Sequence, residues 1–146
     1  DTQKVSNAPS LKQQLHYLLK DKKRIMIMGT GSSHIPFMLY DDVDFKTDAI
    51  TCTDYSEVII SKMQQQIGNR EQLHYKVEDC TTMNLKDEKY DLLMEKGLLD
   101  AILCGEGGEE RARLMLKNID DALNNGAVYL CINMWRQIQI LTLGVI

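Results

Sequence analysis

The stretch Arg24 to Gly31 reads R-I-M-I-M-G-T-G and runs on through Ser32 and Ser33 into His34 to Tyr40. A short apolar segment that meets a Gly-x-Gly turn and then passes into helix-compatible residues is how a nucleotide-type ligand site opens in a doubly wound sheet. Gly29 and Gly31 let the backbone take positive φ and approach a ligand where a Cβ would intrude. An ordinary tight turn after a strand uses the same two glycines, and the rest of the chain must distinguish the two.

Arg24 to Met28 is apolar without alternation, the pattern of a central parallel strand covered on both faces. Before it, residues 1 to 9 form a polar lead-in. Ser10 is placed to cap a helix to about Lys20, with Leu11, Leu15, Leu18 and Leu19 on one side. After the glycine turn, Ile35 to Tyr40 predicts a short helix with Pro36 in its first turn. Asp48 to Thr53 predicts a second strand, and Asp54 follows it. A carboxylate there is where a doubly wound domain holds the hydroxyls of a ribose. The alternative is a plain cap for the helix predicted over Ser56 to Ile67.

Gln72 to Val77 predicts the third strand, with Glu78-Asp79-Cys80 at its end. A carboxylate and the next backbone N–H could meet a purine edge; a solvated turn is the alternative. Tyr90 to Glu95 predicts the fourth strand, and Lys96 to Ala101 opens another helix. Cys104 to Gly108 reads as a glycine-rich loop. Glu109 to Leu123 then predicts a long helix burying Ala112, Met115, Leu116, Ile119 and Leu123. Asn124-Asn125-Gly126 should stop it, Ala127 to Asn133 predicts a fifth strand, and Ile138 to Leu143 is one further strand-like run. Strands alternating with helices predict an α/β fold: a Rossmann-like, doubly wound, mostly parallel sheet with helices on both faces.

The chain of 146 residues is long enough for one domain with its own core, expected to span 1–146 with a recognisable core over 10–133. A net charge of -4 argues against wrapping a nucleic-acid backbone, which calls for clustered Lys and Arg. No apolar run is long enough to cross a bilayer, so no membrane partner is expected. The four cysteines, Cys52, Cys80, Cys104 and Cys131, are scattered without metal-ligand spacing; free thiols, no metal and a reducing, cytoplasmic location follow. No targeting segment is visible, although Asp1 is not an initiator methionine. His16, His34 and His74 are separated, and structural roles are expected for them.

Four segments carry a family resemblance: G-T-G-S-S at Gly29 to Ser33, T-D-Y-S at Thr53 to Ser56, E-D-C at Glu78 to Cys80, and M-E-K-G-L-L-D-A at Met94 to Ala101. Together they resemble the class I S-adenosylmethionine-dependent methyltransferases, and within them the lysine methyltransferases that act on translation elongation factor 1A. That branch writes Gly-Cys-Gly-Asn-Ser, Asp-Tyr-Ser and Glu-Lys-Gly-Thr-Leu-Asp-Ala at the corresponding places. The resemblance covers residues 24 to 133, and its last motif is the most specific.

The resemblance implies S-adenosylmethionine as cofactor, S-adenosylhomocysteine as product, and methyl transfer to a protein lysine, with elongation factor 1A as the possible protein substrate. Gly29, with Thr30 and Gly31 beside it, would contact the methionine part. Asp54 would bind the ribose hydroxyls and Tyr55 would lie against the adenine. Asp79 and the Cys80 N–H would address the adenine, while Glu95 and Lys96 would line the methyl end. No catalytic residue is assigned: Asp100 and Glu95 are nearest in sequence, and Asp100 is equally suited to orienting its loop. Ile27 stands where most of the superfamily has an acidic residue, a departure the branch tolerates. A complete fold of this class adds two more strands as an antiparallel hairpin. Few residues follow Asn133, so the carboxyl-terminal strands are expected to be incomplete or segments to be missing.

Rival readings leave marks that can be checked. A dinucleotide-binding domain needs a third glycine where His34 stands. Methylation of a nucleic-acid base goes with an Asn/Asp-Pro-Pro-aromatic sequence after the fourth strand, where Glu95-Lys96-Gly97-Leu98 occurs. A small-molecule methyltransferase, an aminopropyltransferase and a non-catalytic scaffold share the fold and remain open.

Overall fold

In the computed structural model, which describes residues 11–45, 47–133 and 139–141, the strands are β1 (Arg24–Met28), β2 (Ala49–Asp54), β3 (Leu73–Val77), β4 (Tyr90–Lys96), β5 (Leu123–Ile132) and β6 (Gln139–Leu141). They form one sheet in the order β3-β2-β1-β4-β5-β6. β1 to β5 are mutually parallel and β6 runs antiparallel to β5. Chain order reverses between β1 and β4, and the crevice beyond the carboxyl ends of the strands at such a reversal is where open α/β sheets hold ligands.

The helices are α1 (Leu11–Leu19), α2 (Ile35–Asp41), α3 (Glu57–Gln64), α4 (Leu98–Leu103) and α5 (Gly108–Ala122). Successive side chains of a strand point to opposite faces, so the unalternating apolar run of β1 feeds two cores. Ile25 and Ile27 pack on one face with Ile50, Leu92, Met94 and the α3 residues Ile60 and Met63. Met26 and Met28 pack on the other with Leu93, Tyr129 and the α5 residues Met115, Ile119 and Ala122. His34 precedes α2, its ring edge-on to Phe37, in keeping with a structural role.

β1 has the predicted bounds, and the other predicted strands and helices are present with ends shifted by a residue or more. Ser10 lies outside the described residues, as do the side chains of Leu11 and Leu15 and residues 138, 142 and 143 of the last strand-like run. Two details correct the expectation. Leu116, assigned to the buried stripe of the long helix, is 38% exposed, because that stripe runs through Ala112, Met115, Ile119 and Ala122 instead. Asn124-Asn125-Gly126, expected to stop the helix, lies inside β5 instead: the helix ends at Ala122, Leu123 is already extended and begins β5 opposite Tyr90, and a bulge separates that pair from Leu92 and Val128.

Asp91 anchors this irregular end. Its Oδ1 accepts from the Asn124 amide at 3.0 Å, and its Oδ2 accepts from the N–H groups of Arg24 at 2.9 Å and Lys23 at 3.1 Å. Burial raises the Asp91 pKa, but these donors outweigh it and hold the carboxyl below the usual carboxylate range.

Candidate functional site

Each predicted site residue lies just past, or at, the end of one strand. Gly29 to Gly31 follow β1, with φ of 57° at Gly29 and 53° at Gly31. The Thr30 N–H donates to the Thr53 carbonyl at 2.9 Å, which ties the turn to the end of β2. Asp54, the last residue of β2, is 8% exposed. Its Oδ2 accepts from the Gly31 N–H at 2.9 Å and its Oδ1 from the Ser56 N–H at 3.0 Å. Asp54 is not the cap of α3, because Ser56 holds that position and its Oγ accepts from the Ile59 N–H. The aspartate is thus a brace between the glycine turn and the start of α3. Each carboxylate oxygen offers about two acceptor sites, so both retain capacity for a further donor.

The two glycines differ. A Cβ on Gly29 would stand 2.8 Å from Cδ1 and 3.0 Å from Cβ of Leu98, so what Gly29 makes room for is the start of α4. A Cβ on Gly31 would meet nothing within 4 Å. Gly31 is therefore the glycine whose missing side chain leaves space beside the turn.

Beyond β3, the Glu78 N–H donates to the Asp54 carbonyl at 3.0 Å, which carries the register of the strand ends into the E-D-C segment. Asp79 Oδ1 accepts from the Thr81 hydroxyl at 2.7 Å and the Thr81 N–H at 2.8 Å. Those two donors hold the Asp79 carboxyl below its ordinary range, so at neutral pH it is an anion that only accepts. Burial pushes the neighbouring Cys80 thiol up to about 11, and burial likewise pushes Cys131 up to about 11 and Cys52 up to about 12. None of these three thiols is a thiolate nucleophile at neutral pH.

Glu95, near the end of β4, is 1% exposed. Its Oε2 accepts from the N–H groups of Leu98 at 2.7 Å and Leu99 at 3.3 Å, satisfying two donors at the start of α4. Its Oε1 is buried with no hydrogen-bond partner among the described residues, as is the Thr30 hydroxyl. Its role in the fold is to fix the Lys96-Gly97-Leu98 turn, and hence the Leu98 side chain that covers Gly29. Asp100 lies in the first turn of the same helix.

Two cavities adjoin these strand ends, and Gly29 borders both. One, of about 300 Å³, brings together Gly29, Asp54, Tyr55, Asp79 and Cys80. The other, of about 290 Å³, is bordered by Thr30, Gly31, Glu95 and Lys96. The three strand ends that the sequence analysis sets around one ligand do converge on a single cavity. Its opposite wall is unforeseen: Leu98, Ala101 and Ile102 of α4 and Arg111 of α5. Among the described residues no group of His, Cys, Asp and Glu could hold a metal ion, and no helix is long and apolar enough to cross a membrane.

No family model matches the chain. It is 31% identical over 123 residues to the human eEF1A lysine and N-terminal methyltransferase, an alignment covering 82% of this chain and 17% of that protein. The chain belongs to the class I S-adenosylmethionine-dependent methyltransferase family, near the eEF1A lysine methyltransferase branch. Solved structures of under 25% identity share the fold. An S-adenosylmethionine-dependent methyltransferase from Clostridium acetobutylicum superimposes with a TM-score of 0.65 at 15% identity, covering 82% of this chain and 45% of that one. A phosphoethanolamine N-methyltransferase from Haemonchus contortus, solved with S-adenosylhomocysteine, gives 0.64 at 16% identity, covering 79% and 23%. This methyltransferase-family chain spans less than a fifth of the length of the curated relative it matches over most of its residues.

Membership gives the departure at Ile27 a physical reading. The residue is 5% exposed, packs with Ile25, Ile50 and Met94, and borders the second cavity, where an apolar side chain adds shape but no charge.

Proposed function

We propose that this chain binds S-adenosylmethionine at the carboxyl ends of β1, β2 and β3 and transfers its methyl group to a lysine amine of a protein, an elongation factor 1A-like substrate. The observation that carries the proposal is the convergence of Gly29, Asp54 and Asp79 on one cavity of about 300 Å³, the low end of the range for small-molecule sites. The residues present fit the cofactor. Asp54 retains acceptor capacity for vicinal ribose hydroxyls, and Asp79 is an acceptor-only anion suited to an exocyclic amine beside the Cys80 N–H. Tyr55, 78% exposed, lies where it can cover a purine. The space beside Gly31 suits close approach of the methionine part to the backbone of Gly29, Thr30 and Gly31, with Glu95 and Lys96 at the methyl end.

The bound cofactor supplies an electrophilic methyl on a sulfonium. The chain supplies position and exclusion of water, the main requirements of an in-line displacement. A lysine acceptor has an ordinary pKa near 10.4, so presenting it as the free amine at neutral pH costs about 4 to 5 kcal/mol. Burial of the incoming ammonium lowers that cost. Glu95 is not proposed as the base, because one oxygen is committed to α4 and the residue is enclosed. The free, buried thiols accord with a reducing compartment such as the cytoplasm.

Incubating the chain with methyl-labelled S-adenosylmethionine and a cell lysate, then separating protein, nucleic acid and small molecules, tests the acceptor. Label is expected in protein and, after hydrolysis, in methylated lysine. Label confined to the small-molecule or nucleic-acid fraction overturns the lysine assignment, and no transfer to any fraction favours a scaffold that keeps the fold.

A further inference from the structure

We infer that Arg111 contacts the purine of the bound cofactor, laying its guanidinium against the base at the wall of the cavity facing Asp79 and Cys80. This inference rests on the S-adenosylmethionine reading above and goes beyond it by assigning a fourth element, α5, to base recognition.

Arg111 lines the same cavity as Gly29, Asp54 and Asp79. Its direction follows from helical geometry. Met115, one turn further on, is fully buried, and Asn118, two turns on, donates from Nδ2 to the Cys80 carbonyl at 2.9 Å. Residues spaced by four and seven share a helix face, so Arg111 heads the flank of α5 that packs on the loop after β3. Its positive charge acts on both Asp79 and Cys80.

The neighbouring cations of α5 are engaged: Arg113 with Glu110 at 2.6 Å and Lys117 with Asp121 at 3.7 Å. Arg111 forms no such ion pair among the described residues. A planar, weakly hydrated cation beside an aromatic-sized cavity suits stacking on a base, and lysine cannot reproduce the planar contact. A residue fixing only the folded wall would affect every ligand of the cavity alike, whereas one that touches the base affects only ligands that carry it.

Calorimetric titration of the wild-type chain, Arg111→Met, Arg111→Lys and the outward-facing control Arg113→Met separates the two. S-adenosylhomocysteine and 5′-methylthioadenosine carry the base; S-ribosylhomocysteine does not and is measured by competition. Arg111→Met is expected to weaken both adenosine ligands about tenfold, Arg111→Lys about threefold, and to leave S-ribosylhomocysteine unchanged. Arg113→Met should match wild type. Equal affinity of Arg111→Met and wild type for S-adenosylhomocysteine overturns the inference and leaves the cofactor reading standing. A parallel loss for S-ribosylhomocysteine overturns it too, by exposing a general structural effect. Absence of wild-type binding to S-adenosylhomocysteine overturns the cofactor reading and this inference with it.

Discussion

Asp54→Ala is expected to weaken S-adenosylhomocysteine binding by about a hundredfold or more. Two hydrogen bonds to a charged carboxylate are lost, each contributing about 1.5 to 3 kcal/mol. The substitution also frees the Gly31 and Ser56 N–H groups that the carboxylate holds at 2.9 and 3.0 Å, so part of the loss comes from a loosened glycine turn. Asp54→Asn separates the contributions. It keeps one acceptor oxygen for the brace but turns an amide toward the other donor, and an intermediate loss is expected. Calorimetry, with the melting midpoint of each variant recorded alongside, provides the check. Wild-type affinity in Asp54→Ala would remove the ribose assignment.

Gly29→Ala is expected to strike folding before binding. An L residue at φ 57° costs about 1 to 2 kcal/mol, and the added methyl meets Leu98 at 2.8 Å, an overpacking that costs about 1 to 3 kcal/mol. Together these take about 2 to 5 kcal/mol from a native state worth about 5 to 15, so the thermal midpoint should fall by roughly 6 to 16 °C. Gly31→Ala has a similar φ but open space at its Cβ, and its expected cost is about 1 to 2 kcal/mol. Its main effect should be on ligand affinity. Thermal melts of the two variants test the division of labour; equal midpoints would mean that Leu98 yields without cost.

The strand ends were legible because chemistry punctuates them. A short apolar run without alternation that ends in glycines fits a strand covered on both faces, and β1, with one face in each core, is such a strand. The residues just past it, Gly29 and Gly31, and the carboxylates Asp54 at the end of β2 and Asp79 after β3 belong to types that stand out against apolar neighbours. What local sequence does not carry is contact between distant elements. Leu98 reads as one more helical leucine, and only the packing of α4 on β1 shows why Gly29 must lack a side chain. Arg111 reads as a solvated charge in the first turn of α5, and nothing in its spacing ties it to Asp79. Asn124-Asn125-Gly126 has turn chemistry, yet the Asn124 amide bound to Asp91 draws the strand start back to Leu123. Glu95, placed by resemblance at the methyl end, does border the second cavity, but one of its two carboxylate oxygens is spent on the N–H groups of α4.

One ligand is expected to gather three strand ends, and a backbone amide NMR titration of the wild-type chain with S-adenosylhomocysteine tests this most directly. The amide resonances of Gly31, Tyr55 and Cys80 should move together along one saturating curve, while those of Gly68 and Gly126, far from the cavity in the fold, stay in place. No movement at saturating ligand, or movement at one strand end alone, would contradict it.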